Sequence, residues 1–229
     1  LLVDEIQTGM FRTGPLVRSR ECGLQPDLMT LGKAVSDMMF PFSFTLYSEE
    51  VHEIMLARNP TLLERSHRLH GFDTGYQTAR LALSRAGAEG LAERVRRAGR
   101  VFEFQLRGRL GSCPRVREIR AFGLLIGIEL DLRGWPERWL GKTAARLHLL
   151  RLLRQPQRPL LAGFCQYEPH VLKLTPPLSI QDHEIDEVCA TLTKSLHESF
   201  WRGLTRLWPA RHSVEPDTAP LQSHALAQD

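Results

Sequence analysis

Short apolar runs that end at polar or turn-forming residues open the chain. Residues 1–3 form the first run, which ends at Asp4, and residues 28–31 form the second, which ends at Gly32 and Lys33. Apolar runs of this length between turn residues are typical of buried parallel strands. The pattern therefore predicts two buried strands, with a carboxylate at the carboxyl end of one and an amine at the carboxyl end of the other.

Strand and helix patterns follow in the next part of the chain. Residues 42–47 alternate and are rich in aromatic side chains, which predicts a strand, and Ser48 before two acids predicts a helix start. Residues 67–76 contain two glycines and are predicted to form a loop. Helices are predicted over residues 77–86 and 89–110. The second helix has an apolar stripe at helical spacing, formed by Leu91, Val95, Ala98, Phe102 and Leu106.

A second series of short elements follows. Residues 116–132 predict strands around a turn at Gly123, residues 143–153 predict a helix, and residues 160–164 and 171–174 predict short strands. A final helix is predicted from about residue 182 to 200. Its apolar stripe consists of Ile185, Val188, Cys189, Leu192, Leu196 and Phe200.

This alternation of strands and helices predicts an α/β fold with a domain boundary at the linker 111–114. We expect residues 1–110 to form one domain, and residues 115–205 to form a second, small α/β domain. The composition of residues 209–229 is polar and includes three prolines, which predicts a disordered tail.

Composition and charge exclude several functional classes. The 229 residues are 42% hydrophobic and 24% charged, which is ordinary for a soluble globular protein. Although the net charge is +4, the basic residues are spread over helices and no nucleic-acid recognition motif accompanies them. No apolar run has the roughly 18 residues of a transmembrane helix. We therefore expect neither a nucleic-acid nor a membrane partner.

The cysteines point to a reducing compartment. Cys22, Cys113, Cys165 and Cys189 form no C-x-x-C pair, and no histidine pair with zinc-like spacing accompanies them. This pattern predicts reduced thiols in a cytoplasmic protein and no metal site.

Asp4 and Lys33, which stand 29 positions apart, are the main candidates for chemistry. Ligands of open α/β sheets bind outside the carboxyl ends of the strands. A buried acid and a lysine that face one crevice are the two groups that pyridoxal phosphate requires. Taken singly, Asp4 is better explained as a buried acid that caps a turn, and a surface lysine after a glycine is the alternative for Lys33.

Several further motifs occur in order along the chain. They are Asp4–Gly9, Arg12–Gly14, Pro26-Asp27, Gly32-Lys33, Gly123–Leu130 and Leu174–Leu178. Together they resemble the class III aminotransferases of the ornithine, GABA and acetylornithine type, which depend on pyridoxal phosphate and have fold type I. The resemblance covers roughly residues 1–200. It implies the C-terminal part of the large three-layer α/β/α domain of this fold, followed by a small α/β domain.

The resemblance also implies roles for individual residues in cofactor binding. Lys33 is the catalytic residue, because it forms the Schiff base with pyridoxal phosphate and then moves the substrate proton. Asp4 keeps the pyridine nitrogen protonated. Ile6 is expected to pack on the face of the ring, and Gln7 to approach the phenolic oxygen, although Gln7 is equally well explained as a turn residue.

Three more site residues follow from the resemblance. Thr74 is the nearest candidate for the threonine that reaches the cofactor phosphate of a neighbouring subunit, but a strict count from Gly71 places Asp73 there, and Thr74 is also consistent with a helix cap. Lys173 stands where many relatives have an arginine that binds a substrate carboxylate, or it is a solvated lysine at a strand end. Arg12 is the second substrate candidate.

The implied function is transamination, in which an amino group passes from an amine or ω-amino donor to a 2-oxo acid, in a homodimer. Two alternatives stay open: an aminomutase or epimerase of the same fold, and a non-catalytic fragment or interaction module. The sequence contains no Gly/Ser-rich phosphate-binding turn of the kind found in the family, and it starts without methionine inside an apparent strand. We therefore expect it to be the C-terminal half of a longer chain, and to be inactive alone.

Overall fold

The computed structural model describes residues 1–36, 41–61, 64–65, 72–134, 137–155, 157–165, 167–199 and 201–202. These residues form two β-sheets and two apolar cores. The predicted disordered tail 209–229 lies outside the described residues, as does the first part of the predicted loop 67–76. Within the described ranges, no helix has both the length and the hydrophobicity to cross a bilayer.

The N-terminal sheet contains three strands in the order β1-β2-β3. The strands are β1 (Leu2–Asp4), β2 (Leu28–Leu31) and β3 (Phe44–Tyr47). Strands β1 and β2 are parallel, with Asp4 opposite Thr30, and β3 is antiparallel to β2. The three strands predicted from the apolar pattern are confirmed.

The predicted burial of the first two strands is wrong. Leu2 is 62% exposed and Asp4 is also exposed, whereas Leu31 is the one buried residue of β2. A small core that includes Met10, Leu31 and Val35 packs against the sheet, and no other apolar cluster of described residues covers it. An apolar run indicates a strand, but its burial depends on which other elements pack on it.

Within the described ranges, helical segments connect or follow these strands. They include α1 (Arg18–Glu21), a 3₁₀ helix (Lys33–Ser36), α2 (Glu49–Arg58), α3 (Asp73–Ala88) and α4 (Leu91–Leu110). Ser48 caps α2 as predicted, because its hydroxyl accepts a hydrogen bond of 3.3 Å from the Val51 N–H.

Helix α3 begins at Asp73, so the prediction of a loop is wrong for residues 73–76. The reason is the packing of the helix against aromatic side chains. An ideal Cβ at Gly75 would lie 2.5 Å from the Phe42 ring, and Tyr76 contacts the same ring edge to face at 5.5 Å. Gly75 therefore allows a close contact inside a helix, whereas the sequence alone suggested that it forms a turn.

The C-terminal sheet is antiparallel, with the strand order β4-β5-β7-β6. Its strands are β4 (Val116–Phe122), β5 (Leu125–Leu130), β6 (Gly163–Phe164) and β7 (Val171–Leu174). Three helices accompany it: α5 (Glu137–Leu140), α6 (Lys142–Leu153) and α7 (Asp182–His197). The predicted elements are confirmed, although only two residues of the predicted strand 160–164 are in β6.

The larger core lies between this sheet and the helices α4, α6 and α7. The predicted apolar stripes of α4 and α7 face it. Their fully buried members are Val95, Phe102, Leu106, Ile185, Cys189, Leu192 and Leu196. Residues from before and after the linker 111–114 therefore share one core, and the division into domains 1–110 and 115–205 stays a prediction.

Backbone segments from both parts of the chain meet at Gly99 of α4, Gly123 of the β4–β5 turn, and Thr13. An ideal Cβ at Gly99 would lie 2.5 Å from the Gly123 carbonyl oxygen, and one at Gly123 would lie 2.7 Å from the Thr13 carbonyl carbon. Gly123 also has a φ of +55°, in the left-handed region. Only glycine fits at these two positions without displacing the backbone.

A buried polar cluster joins α6 to the end of α7. His148 and Arg151 of α6 are only 1% and 2% exposed. Arg151 donates hydrogen bonds from Nη2 to the Ser195 carbonyl at 2.9 Å and to a Glu198 carboxylate oxygen at 3.5 Å. Burial, together with the positive charges of Arg151 and Arg115, lowers the pKa of His148 to about 3, so this imidazole is neutral at physiological pH.

We predict that Gly99→Ala destabilises the fold by about 1–3 kcal/mol, because the added methyl group overlaps the Gly123 backbone. Gly108→Ala is the matched control, since Gly108 lies in the same helix and its Cβ would meet no described atom within 4 Å. The control should be neutral or stabilising by up to about 1 kcal/mol. Chemical denaturation measures both variants, and equal effects would contradict the proposed close contact.

We also predict that His148 makes stability depend on pH. Its pKa is about 3 in the folded state, against an ordinary value of 6.5, so the unfolded chain takes up the proton first. The stabilisation of the folded state that comes from the neutral His148 imidazole is fully present above about pH 6.5. It is lost as the pH falls toward about 3, at up to about 1.4 kcal/mol per pH unit.

The measurement is the free energy of unfolding between about pH 5 and pH 7, where carboxylates contribute little. His148→Gln should flatten the dependence, whereas the exposed His183→Gln on α7 should leave it unchanged. An identical pH profile for the wild type and His148→Gln would show that the neutral state of the buried imidazole has no influence on folding.

Candidate active site

Asp4 and Lys33 come from the same edge of the N-terminal sheet. Asp4 is the last residue of β1 and Lys33 follows β2 by two positions, and the two strands are parallel. Asp4 Oδ1 accepts hydrogen bonds from the Ile6 N–H at 2.8 Å and from the Thr30 hydroxyl at 3.1 Å. These bonds orient the carboxylate, while Asp4 Oδ2 accepts none from a described residue.

Lys33 has an unusual backbone conformation, with a φ of +50° at the start of the 3₁₀ helix. Among the described residues other than glycine, only Met10 and Phe11 also have a positive φ. This conformation costs an L-residue about 1–2 kcal/mol. The Lys33 side chain is exposed and forms no ion pair with a described residue, so its amine is available at the strand edge.

Ile6 and Gln7 follow Asp4 and lie beside this edge. Both Cγ atoms of Ile6 lie 3.4 Å from the position of an ideal Cβ at Gly32, so Ile6 packs next to the backbone that leads into Lys33. Gln7 is half-buried, and its side chain makes no hydrogen bond with any described residue. Ile6 therefore lies next to the backbone that leads into Lys33, and the roles of Ile6 and Gln7 stay predictions.

Glu5, which the sequence analysis did not identify, anchors the loop behind this edge. It is only 1% exposed, and its carboxylate accepts hydrogen bonds from the Ser19 N–H at 2.6 Å and from the Thr8 hydroxyl. Burial raises the pKa of Glu5, but these hydrogen bonds hold it below its usual value, so the carboxylate is ionised. A second acid directly after the first apolar run was the available signal.

Thr74 lies in the first turn of α3 and is exposed. Helix α3 packs against the 3₁₀ helix that begins at Lys33, through a core that contains Val35 and Ala79. No hydrogen bond links Thr74 to Asp4 or Lys33. The structure therefore places Thr74 at a helix N-terminus, where backbone N–H groups are free, but not in contact with the two central residues.

Lys173 lies in β7 of the other sheet, opposite Gly127 of β5 and Gly163 of β6. It points to the opposite face from the buried Leu172 and Leu174. Its Cε lies 3.4 Å from an ideal Cβ at Gly163, and its amine forms no ion pair with a described residue. Lys173 therefore has a glycine, and so no side chain, directly opposite it on each neighbouring strand.

A groove of about 560 Å³ adjoins Lys173. Its lining includes the apolar residues Phe102, Leu174, Ile180 and Val188 and the charged residues Arg158, Lys173, Glu184 and Glu187. Neither Asp4 nor Lys33 belongs to this groove. The structure therefore does not bring Lys173 into one cavity with the predicted cofactor residues.

Arg12 is positioned differently from the predicted substrate contact. Its Nη1 donates hydrogen bonds to the Pro176 carbonyl at 2.6 Å and to the Leu124 carbonyl at 3.3 Å. Its own carbonyl accepts a hydrogen bond of 3.0 Å from the Leu124 N–H. The Arg12 side chain therefore binds backbone of the C-terminal sheet.

The four cysteines, all within described ranges, are free. Burial raises the pKa of the Cys189 thiol to about 12, so this thiol is protonated and unreactive. No group of three His, Cys, Asp or Glu side chains among the described residues has the arrangement of a metal site.

This chain is similar to known aminotransferases. The family model described as aminotransferase class-III matches residues 1–196. The ornithine aminotransferase of Bordetella pertussis is 30% identical over 201 residues, covering 87% of this chain and 43% of the relative. The diaminobutyrate–2-oxoglutarate transaminase of Streptomyces coelicolor is 29% identical over 202 residues, covering 87% of this chain and 44% of the relative.

A solved structure of the ornithine aminotransferase from Toxoplasma gondii, described with partial occupancy of PLP at its active site, has the same fold. It superimposes with a TM-score of 0.69 at 28% identity, covering 86% of this chain and 43% of that one. This similarity confirms the fold predicted from the sequence. The chain spans about two-fifths of the length of the curated relatives it matches. On the family match over most of its residues, this chain belongs to the class III aminotransferases.

Proposed function

We propose that the whole protein is a pyridoxal-phosphate-dependent aminotransferase, which moves an amino group from an amine or ω-amino donor to a 2-oxo acid. The placement of Asp4 and Lys33 at one edge of parallel strands carries this proposal. The same edge is the general ligand-binding position of open α/β sheets.

The residues present fit pyridoxal phosphate. Asp4 Oδ1 already accepts two hydrogen bonds, which leaves Oδ2 for a protonated ring nitrogen. A charge-assisted hydrogen bond of this kind contributes about 1.5–3 kcal/mol. The Lys33 side chain is exposed at the same sheet edge and has no carboxylate partner among the described residues. Ile6 would then pack on the ring, and Gln7 would hydrogen-bond to the phenolic oxygen.

When bound, pyridoxal phosphate supplies an electron sink that stabilises the carbanion left when a substrate loses a proton from the carbon that bears its amine. Lys33 would bind the cofactor covalently, and its released Nζ would take up that proton and later return it. Asp4 would keep the ring nitrogen protonated throughout. Thr74 would donate its hydroxyl to the phosphate bound by a neighbouring subunit, at a helix N-terminus that favours anions.

Lys173 and the relatives support a donor with a terminal amine. An ammonium group is a point charge, so Lys173 binds a carboxylate without the two-pronged geometry of arginine. Ornithine and diaminobutyrate, which appear in the names of the relatives, both have a second amine. We also propose that the protein is a homodimer in the cytoplasm, since Thr74 is exposed for a neighbouring subunit and all four thiols are free.

We predict that reduction of the whole protein with borohydride in the presence of pyridoxal phosphate labels Lys33. Peptide mapping locates the label, and Lys33→Arg should abolish it together with turnover. Lys194→Arg is the control, because Lys194 lies in the distant helix α7 and should not affect labelling. A label on any other lysine would contradict the assignment.

A second prediction concerns the donor. We expect diamines and ω-amino compounds to have a higher kcat/KM than simple α-amino acids. Lys173→Arg should shift the preference toward α-carboxylate donors by about tenfold, because a guanidinium group binds a carboxylate through two hydrogen bonds, and tenfold corresponds to about 1.4 kcal/mol. A wild-type preference for α-amino acids over diamines by a large factor would refute the proposed donor class.

A further inference from the structure

Arg12 lies in a loop that is fixed by its own hydrogen bonds. The Gly9 N–H donates to the Glu5 carbonyl at 2.9 Å, the Met10 N–H to the Leu16 carbonyl at 2.7 Å, and the Thr13 hydroxyl to a carbonyl within the loop at 2.8 Å. The buried Glu5 carboxylate also accepts a hydrogen bond from the Ser19 N–H, which connects the start of the loop to the helix that follows it. Arg12 therefore projects from an ordered loop that directly follows Asp4.

Three hydrogen bonds connect Arg12 to two separate segments of the C-terminal sheet. Two involve Leu124 in the β4–β5 turn, through its N–H at 3.0 Å and its carbonyl at 3.3 Å. The third, from Nη1 to the Pro176 carbonyl, is 2.6 Å long and is the shortest. Pro176 follows Lys173 by three positions, so this bond holds the chain just beyond the end of β7.

In the segment beyond β7, the Pro176 carbonyl receives its hydrogen bond from outside the segment, whereas the Pro177 carbonyl receives one from within it. Pro176 and Pro177 have no N–H group, so the segment can be held at these positions only through its carbonyl oxygens. The Pro177 carbonyl accepts from the Ile180 N–H at 3.1 Å, and the Pro176 carbonyl accepts from Arg12. Burial also lowers the pKa of the Arg12 guanidinium, which remains protonated and able to donate.

We infer that Arg12 is a positioning residue: it holds the strand end that carries Lys173 against the loop that follows Asp4, and does not itself bind the substrate. The inference rests on the proposed function in one respect only, namely that Lys173 contacts a substrate carboxylate. Lysine at position 12 would keep the charge but would lose the two-acceptor geometry, because one ammonium group replaces a planar fork.

Arg18 provides a matched control at the same junction. It pairs with Glu21 at 2.9 Å and lies over the Phe122 ring at 5.3 Å, so it contacts the β4–β5 hairpin. It makes no hydrogen bond to the segment after β7. Removing Arg18 therefore disturbs the junction without releasing the strand end of Lys173.

The experiment compares Arg12→Ala, Arg12→Lys and Arg18→Ala in the whole protein. Three quantities are measured: amide hydrogen exchange of residues 171–180, borohydride labelling of Lys33, and the separate values of KM and kcat for the 2-oxo acid. Arg12→Ala should speed exchange over residues 171–180 and raise KM by about tenfold, with kcat within about twofold and labelling unchanged. Arg12→Lys should raise KM by less than Arg12→Ala does, and Arg18→Ala should leave KM unchanged.

The outcomes separate this inference from the proposed function. A fall in kcat for Arg12→Ala with KM and exchange unchanged would overturn the inference, because Arg12 would then act on the reacting groups. Faster exchange without a rise in KM would also overturn it. If the wild type gives neither a label on Lys33 nor turnover, the proposed function fails, while the exchange data still decide whether Arg12 holds the strand end. Should Arg12→Ala fail to fold, Arg12→Lys decides.

Discussion

The contact between Gly99, Gly123 and Thr13 determines how the two sheets of this protein are arranged. Backbone atoms meet backbone atoms there, at distances that leave no room for a Cβ. A contact without side chains has no rotamers through which to adjust, so it fixes the distance between α4, the β4–β5 turn and the first loop. Arg12, directly before Thr13, forms its hydrogen bonds to Leu124 and Pro176 beside this contact.

Local sequence patterns predicted the elements whose neighbours in space are also near in sequence. The apolar stripe of α4 and the serine cap of α2 are examples, because both depend on side chains within a few turns. The start of α3 was not predictable in this way. Gly75 in a glycine-containing stretch suggests a turn, and only the packed ring of Phe42 shows why a helix needs glycine at that position.

The same distinction between local and distant contacts applies to the candidate site. The placement of Asp4 and Lys33 at one sheet edge could be predicted from the sequence, because parallel strands have their carboxyl ends at the same edge. The structure places both residues there. The hydrogen bonds of Arg12 could not be predicted from the sequence, because its acceptors lie 112 and 164 positions away. The exposure of Asp4 was also unpredictable, since burial depends on which elements cover a sheet and not on the strand itself.

The backbone conformation of Lys33 has an evolutionary consequence. A φ of +50° is comfortable for glycine and tolerable for asparagine, but it is costly for a lysine. Selection for stability alone would favour glycine at this position, and the proposed role of the Lys33 amine gives a reason for a lysine there. In descendants of such a chain that had lost catalytic activity, residue 33 should be among the first to be substituted. The strands on either side of it should keep their residues.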